Sequence, residues 1–420
     1  MVPTLEYPGV KYPGRMAVSE IFEELQRQAK AYKDYVVTNQ TIAVVIDAEF
    51  GLALQFTVAG KVQKLPISNR GFAQIVTWVG LRKDSKLYKR LRWGSDDKKC
   101  RLKISDRFWQ TYANLINDHF RIIRGKKLIR TLMRPDGEWY VRAILSDKYR
   151  IIPNDQLFMA VSEKIKSAKA EIWDARLSED AFYLYAVAPG ITAQVRTDRT
   201  FDGNRWAGDA GDIVNAAVML RNSETGQGGC EVCPAIITKV SGAYFVRQNA
   251  LSIRHLGRAH TMDVLLSAGT IRKQNSLIFD QVRDYVTSTF TEETFQAFVQ
   301  KIQDATQDEV ADPVAAADAV RAVYELSEAR KDSIVNWLMQ TGDRSRYGLA
   351  QAVAREAHDN NDLGADEAVK LEQASSDLIE KQTAVSLARE HKKLAEKKAS
   401  SAASAAEEVA ELAAAAIDIE

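Results

Sequence analysis

Cysteine is scarce in this sequence, and neither a long unbroken apolar run nor a glycine–proline repeat occurs in it. Three cysteines in 420 residues are too few for a disulfide scaffold and fit a reducing compartment. The 22 glycines and 9 prolines follow no period, which excludes a collagen-like fibre. The longest apolar stretch, residues 42–60, is interrupted by Asp47 and Glu49, so it lacks the form of a membrane span.

The first fifteen residues lack the apolar core of a secretory signal peptide. Apolar residues make up 46% of the chain and charged residues 27%, which is typical of a soluble globular protein and excludes wholesale disorder. The length predicts two or three domains, or one elaborate domain with appendages. We therefore expect a cytoplasmic protein without membrane contact.

The net charge of +1 hides an uneven distribution of charge along the chain. Residues 61–150 contain 23 Lys and Arg against 8 Asp and Glu, whereas residues 281–420 contain 15 against 27. Such asymmetry predicts contact between the basic region and a polyanion. The alternative is that both regions are solvated faces that attract each other.

Apolar periodicity predicts an α+β fold: an antiparallel, strand-rich core flanked by helices, with a helical C-terminal region. We expect an arm and a helix in residues 1–40, the α+β core in 41–300 and a helical region in 301–364. Residues 365–420, rich in Ala, Glu, Lys and Ser, predict a solvated helix or a partly disordered tail that could bind a protein partner.

Local patterns within the core predict several individual elements. Residues 41–58 alternate like a β-hairpin, and a helix is expected to begin near Pro153. Five strand-like runs between residues 181 and 246 are separated by turn sequences such as Pro189-Gly190. A further helix should bury the face formed by Phe108, Tyr112, Leu115, His119 and Ile123.

Two basic clusters carry the candidate nucleic-acid contacts. Single strands are bound by cations along the phosphates and by flat rings on which bases stack, each stacked base contributing about 1–3 kcal/mol. The first basic cluster, residues 82–103, comprises Arg82, Lys83, Lys86, Lys89, Arg90, Arg92, Trp93, Lys98, Lys99, Arg101 and Lys103. The second basic cluster, residues 121–130, comprises Arg121, Arg124, Lys126, Lys127 and Arg130. The alternative is a surface kept soluble by Lys and Arg.

The pair Arg254 and Arg258 is a weaker supplement to these clusters. Both lie in the segment SIRHLGRAH, beside two histidines. Guanidinium groups so close together could bind phosphates, or they could belong to a structural ion-pair network, and the sequence leaves both interpretations open.

Two further patterns suggest metal sites. Asp47 and Glu49 follow an apolar run, as the first carboxylates of two-metal exonucleases do, but no convincing further ligand motif follows. Cys230 and Cys233 precede His255 and His260 in zinc-finger order, but the 21 residues between Cys233 and His255 exceed the usual spacing. We predict no catalytic residue, metal or cofactor, and keep a metal-dependent nuclease built on the Asp47/Glu49 pair as the enzymatic alternative.

Four segments resemble the phage/plasmid-like protein family, also called domain of unknown function 932. They are VRAILSDKYRIIPNDQLFMAV at 141–161, VMLRNSETGQGGCEVCPAI at 218–236, SIRHLGRAH at 252–260 and DRSRYGLAQAVAREAHD at 343–359. Their order and spacing fit over about residues 70–380. Members commonly read Cys-Asn-Gly after the central strands, where this chain has Val240, Ser241 and Gly242, so the resemblance is to a distant member.

The resemblance implies a setting in mobile elements but no settled activity. With the basic clusters, it leads us to expect a non-enzymatic phage or plasmid protein that binds single-stranded DNA. By analogy with phage annealing proteins, it would form homo-oligomers and promote strand annealing in recombination or replication. A structural or antidefence protein that uses the acidic C-terminal region on a partner is the other alternative.

Overall fold

The computed structural model describes residues 16–47, 51–79, 106–195, 200–201, 204–205, 212–238, 244–246, 251–255, 268–359 and 363–380. Within these ranges the chain has the predicted α+β fold, with antiparallel sheets in its N-terminal and middle parts and helices in its C-terminal part. None of the helices in the described ranges is both long and apolar enough to span a bilayer.

The N-terminal part contains two three-stranded sheets, with strand orders β1-β5-β6 and β2-β3-β4. Its elements are α1 Val18–Ala31, β1 Tyr32–Thr38, β2 Ile42–Asp47, β3 Gly51–Val58, β4 Lys61–Pro66, α2 Asn69–Trp78, α3 Asp106–Ile122, β5 Lys126–Met133 and β6 Trp139–Ser146. The predicted hairpin is confirmed, since β2 and β3 pair antiparallel from Ile42/Phe56 to Asp47/Gly51.

Side chains from the helices fix the positions of both sheets. Asn117 on α3 accepts a hydrogen bond from the backbone N–H of Val44 on β2 (2.7 Å) and donates one to the carbonyl of the same residue (2.9 Å). The side chain thus satisfies backbone groups of β2 that no neighbouring strand would otherwise pair. Ser68 caps α2 by accepting from Gly71 N–H and donates to the carbonyl of Arg142 on β6 (2.7 Å). These bonds tie each helix to a particular strand.

Helix α3 exists as predicted, but its buried face differs from the predicted one. Tyr112, Ala113, Ile116 and Phe120 are buried, whereas Leu115 is 52% exposed. The prediction named Leu115 and His119, whereas the helix buries the residues that follow them, Ile116 and Phe120, so the predicted face was rotated by about one position. The buried face also includes Ala113, whose small side chain allows the helix to approach the sheet closely.

The middle part is built on a larger antiparallel sheet of order β13-β12-β11-β8-β7, in which β14 also pairs with β12. Its elements are α4 Asn154–Ser167, β7 Glu171–Leu177, β8 Phe182–Val195, β9 Thr200–Phe201, β10 Asn204–Arg205, β11 Asp212–Asn222, β12 Cys230–Thr238, β13 Tyr244–Val246 and β14 Leu251–Ile253. Helix α4 begins directly after Pro153, as predicted. Pro189-Gly190 does not end a strand, because β8 continues through it.

The C-terminal part consists of α5 Ala268–Thr289, α6 Glu292–Thr306, α7 Pro313–Tyr324, α8 Glu328–Thr341, α9 Arg346–Asp359 and α10 Ala365–Glu380. Helix α10 differs from the solvated tail predicted from residue 365. Leu371 and Leu378 are fully buried, and Tyr185 on β8 donates a hydrogen bond to Glu372. The composition did not indicate this packing, because small Ala and Ser side chains provide much of the contact surface of α10 and do not form a recognisable apolar stripe.

Candidate functional site

The described residues include only part of the predicted nucleic-acid contacts. The whole first basic cluster lies outside the described residues, as do Arg258, Glu49 and His260. The described members are the second basic cluster and Arg254. The site can therefore be built from these residues and from what surrounds them.

The second basic cluster lies where α3 ends and β5 begins. Arg121, Arg124 and Lys126 are exposed, and Arg121 forms an ion pair with Asp118 one turn earlier (3.1 Å). The Nζ atom of Lys127 lies 3.7 Å from the centre of the Trp78 ring, a cation–π contact. Trp78 is the last residue of α2 and precedes the first basic cluster by only a few positions. Lys127 therefore contacts a residue that comes four positions before the first basic cluster in the sequence.

Arg130 stands apart from the rest of the second basic cluster. Its side chain is only 3% exposed, and its Nη2 donates to Glu224 Oε2 at 2.7 Å. Asp34 lies on its other side, 3.2 Å from Nη1. This guanidinium is buried and paired with carboxylates of the protein itself, so we remove Arg130 from the candidate nucleic-acid contacts.

Further cations, some exposed and some half-buried, lie between the second basic cluster and Arg254 in the fold. Lys127 pairs with Ser146 at the end of β6, and Lys148 and Arg150 follow within four residues. Because an extended chain advances at most about 3.6 Å per residue, Arg150 lies within about 14 Å of Ser146. We define these residues as the basic rim: Arg121, Arg124, Lys126, Lys127, Lys148, Arg150 and Arg254, with the exposed carboxylate Asp147 among them.

His255 joins Arg254 to the rest of the basic rim. The backbone N–H of Arg150 donates to the carbonyl of His255 (2.7 Å), and His255 Nδ1 donates to the carbonyl of Arg150 (2.8 Å). The imidazole stacks on the ring of Tyr149, with 5.0 Å between centroids and 12° between planes. Burial lowers the pKa of His255, so this histidine holds the backbone as a neutral group. Lys148 and Arg150 were not among the predicted contacts, although both follow a predicted strand.

Beneath the basic rim lies a buried polar junction between the N-terminal sheet and the larger sheet. Glu224, in the loop between β11 and β12, accepts from Arg130, from Arg142 Nη1 (3.4 Å) and from the backbone N–H of Asn154 (2.8 Å). Burial raises the pKa of the Glu224 carboxyl, but the two guanidinium groups outweigh burial and hold the pKa below its ordinary value.

The junction brings together three of the four segments that carry the family resemblance. Tyr149 Oη donates to the carbonyl of Ser223 (2.8 Å), and Asn222 Nδ2 donates to the carbonyl of Ile152 (2.9 Å). Neither Arg142 nor Glu224 was predicted as a site residue, because nothing in the sequence indicates that these segments meet. The cavity at the junction measures about 20 Å³, room for about one water molecule. This arrangement can hold two sheets together, but it is too small for a substrate.

Neither predicted metal pattern forms a ligand set in the described residues. Asp47 forms an ion pair with Lys64 on β4. Cys230 and Cys233 point to opposite faces of β12 and pack in separate apolar clusters, so they cannot bind one ion together. Burial raises the pKa of each thiol to about 12. Within the described ranges, no group of three or more His, Cys, Asp or Glu is arranged to hold a metal.

No protein-family model matches this chain, and searches of the curated proteins and of the solved structures found no match either. Membership of the phage/plasmid-like family therefore stays a prediction.

Proposed function

We propose that this is a non-enzymatic nucleic-acid-binding protein of a phage or plasmid, which binds single-stranded DNA in the cytoplasm. The observation that supports it best is the basic rim: cations that are distant in sequence come closer together because β5 pairs with β6 and because Arg150, after β6, bonds to the backbone of His255, after β14. Strand annealing in recombination or replication is the process that such binding would serve. Self-association and a protein partner for the C-terminal tail stay predictions.

A single strand fits the basic rim better than a duplex does, because aromatic rings accompany the cations. Trp78 is half-buried and lies beneath Lys127. The first basic cluster adds Trp93 in sequence. Rings among cations offer stacking surfaces to unpaired bases, which a duplex keeps stacked on each other.

Removing three exposed cations of the basic rim should weaken binding and reduce its dependence on salt. Each phosphate contact on a single strand contributes about −0.7 to the slope of log K against log salt concentration. If all three side chains contact phosphates, Arg121→Ala/Arg124→Ala/Lys126→Ala should make the slope shallower by about 2. Fluorescence anisotropy with a labelled oligothymidine over a salt series measures it.

The matched control removes the same charge elsewhere on the surface. Lys166, Lys273 and Lys370 are exposed residues of α4, α5 and α10, and the Lys166→Ala/Lys273→Ala/Lys370→Ala variant should keep the wild-type slope. Equal slopes for the two triple variants would remove the basic rim from the binding surface. A wild-type protein that fails to retain single strands even at about 50 mM salt, where phosphate contacts are strong, would refute the proposed function.

A further inference from the structure

An open groove of about 700 Å³ lies beside the last cation of the basic rim. Strand β14 forms one wall, with Ile253 and Arg254, and helix α5 forms the other, with Gln281, Asp284, Tyr285 and Ser288. The groove is therefore large enough for one unit of a bound chain.

The α5 wall presents one ordered stripe of side chains. Gln281, Asp284, Tyr285 and Ser288 are spaced at i, i+3, i+4 and i+7, so they share one side of the helix. Tyr285 is partly buried and packs against the main apolar core, which fixes its position. Polar groups that can donate and accept hydrogen bonds therefore surround one anchored aromatic ring.

The two walls differ in charge, and this difference gives the groove a direction. Arg254 on the β14 side is exposed, whereas Asp284 on the α5 side is an exposed carboxylate. A phosphate is attracted to the first side and repelled from the second. A nucleotide in the groove would therefore place its phosphate toward β14 and its base toward Tyr285.

We propose that this groove is a base-stacking subsite for the single strand bound along the basic rim. This inference rests on the proposed function and adds to it a site where one unpaired base is held. Tyr285 stacks on the base, Gln281 and Asp284 bond to its polar edge, and Arg254 contacts the adjoining phosphate. A paired base cannot enter, since its edge and both its faces are already occupied in the duplex.

Photo-crosslinking locates the base directly. A single-stranded oligonucleotide that contains 5-iodouracil should crosslink to Tyr285, and mass spectrometry of the digested complex identifies the modified residue. Tyr285→Leu should lose about 5–150-fold in affinity, which corresponds to about 1–3 kcal/mol per stacked base. Tyr285→Phe keeps the ring and should recover most of that loss.

The control is Trp173→Leu, which removes a different exposed aromatic ring, on β7, and should leave affinity unchanged. Thermal unfolding of each variant verifies that the protein is folded. Two results would overturn the groove as a base site: a Tyr285→Phe variant that binds no better than Tyr285→Leu, or crosslinks that map only to other residues. If the wild type still binds single strands in these experiments, the proposed function is unaffected. Loss of all binding by the wild type would refute both.

Discussion

Among single residues, Glu224 is expected to have a large effect on stability. It lies 8% exposed between the guanidinium groups of Arg130 and Arg142, which belong to a different sheet. Removing one partner of a buried ion pair typically costs about 3–5 kcal/mol, because the remaining charges stay buried without compensation. We expect Glu224→Gln to lower the free energy of unfolding by about that amount at pH 7. Urea denaturation measures it.

The effect of Glu224 should also depend on pH. Its pKa is lower in the folded protein than in the unfolded chain, so its contribution is fully present above the unfolded pKa and disappears as the pH falls through the folded pKa. The difference in stability between wild type and Glu224→Gln should therefore shrink in acid. Glu171→Gln, at an exposed position on β7, serves as the control with little effect. A constant difference across the pH range would contradict this role.

The burial of Arg130 is an example of a single-residue feature that the sequence could not predict. It belongs to a basic run, and its neighbours Arg124 and Lys126 are exposed as a solvated cluster should be. Its partner Glu224 is 94 positions away in the chain, so no local pattern connects the two residues. Five consecutive residues of β5, 128–132, are buried, so both faces of the strand are covered and no alternation in the sequence marks Arg130 as a buried residue.

Among the elements, α10 is the one whose removal should be most damaging. Leu371 and Leu378 are fully buried, and burying such a side chain contributes about 1.5–3 kcal/mol. The buried carboxylate of Glu372 also forms an ion pair with Arg176 (2.8 Å). The total approaches the whole stability of a typical domain, about 5–15 kcal/mol. A chain that ends at residue 364 should therefore fail to fold.

A chain that ends at residue 380 is the matched comparison, because it retains α10 entirely. We expect this chain to keep a cooperative thermal transition, and the chain that ends at 364 to lack one. Circular dichroism and limited proteolysis distinguish the two outcomes. Equal melting temperatures for both chains would mean that α10 covers the sheet without stabilising it.

The elements also show where sequence patterns suffice. The β2–β3 hairpin and the start of α4 follow from local rules, alternation in one case and a proline before the first turn in the other. The interpretation of Pro189-Gly190 as a strand end was wrong because tertiary pairing overrode it: β11 pairs with β8 on both sides, with a register shift at Asn215/Ala216. Pairing partners, unlike alternation, are not encoded locally.

For the whole molecule, the position of the acidic residues relative to the basic residues matters more than the net charge. Residues 281–380, which form most of the C-terminal helices, contain 9 Lys and Arg against 20 Asp and Glu. Residues 381–420 contain 6 against 7 and are therefore nearly neutral. The acidic excess is part of the folded helices, so a separate tail does not carry it. We therefore do not expect the final segment to compete with nucleic acid for the basic residues.

Deleting residues 381–420 should consequently leave nucleic-acid affinity within about twofold of the full-length value, because the deletion changes the net charge by only one unit. Anisotropy titrations of both chains with the same single strand, at low and at moderate salt, measure it. An affinity that rises tenfold on deletion, most strongly at low salt, would contradict this prediction and assign the tail a competing role despite its small net charge. Unchanged affinity would instead leave the acidic helices as the only large negative counterpart of the basic rim, fixed in place by the fold.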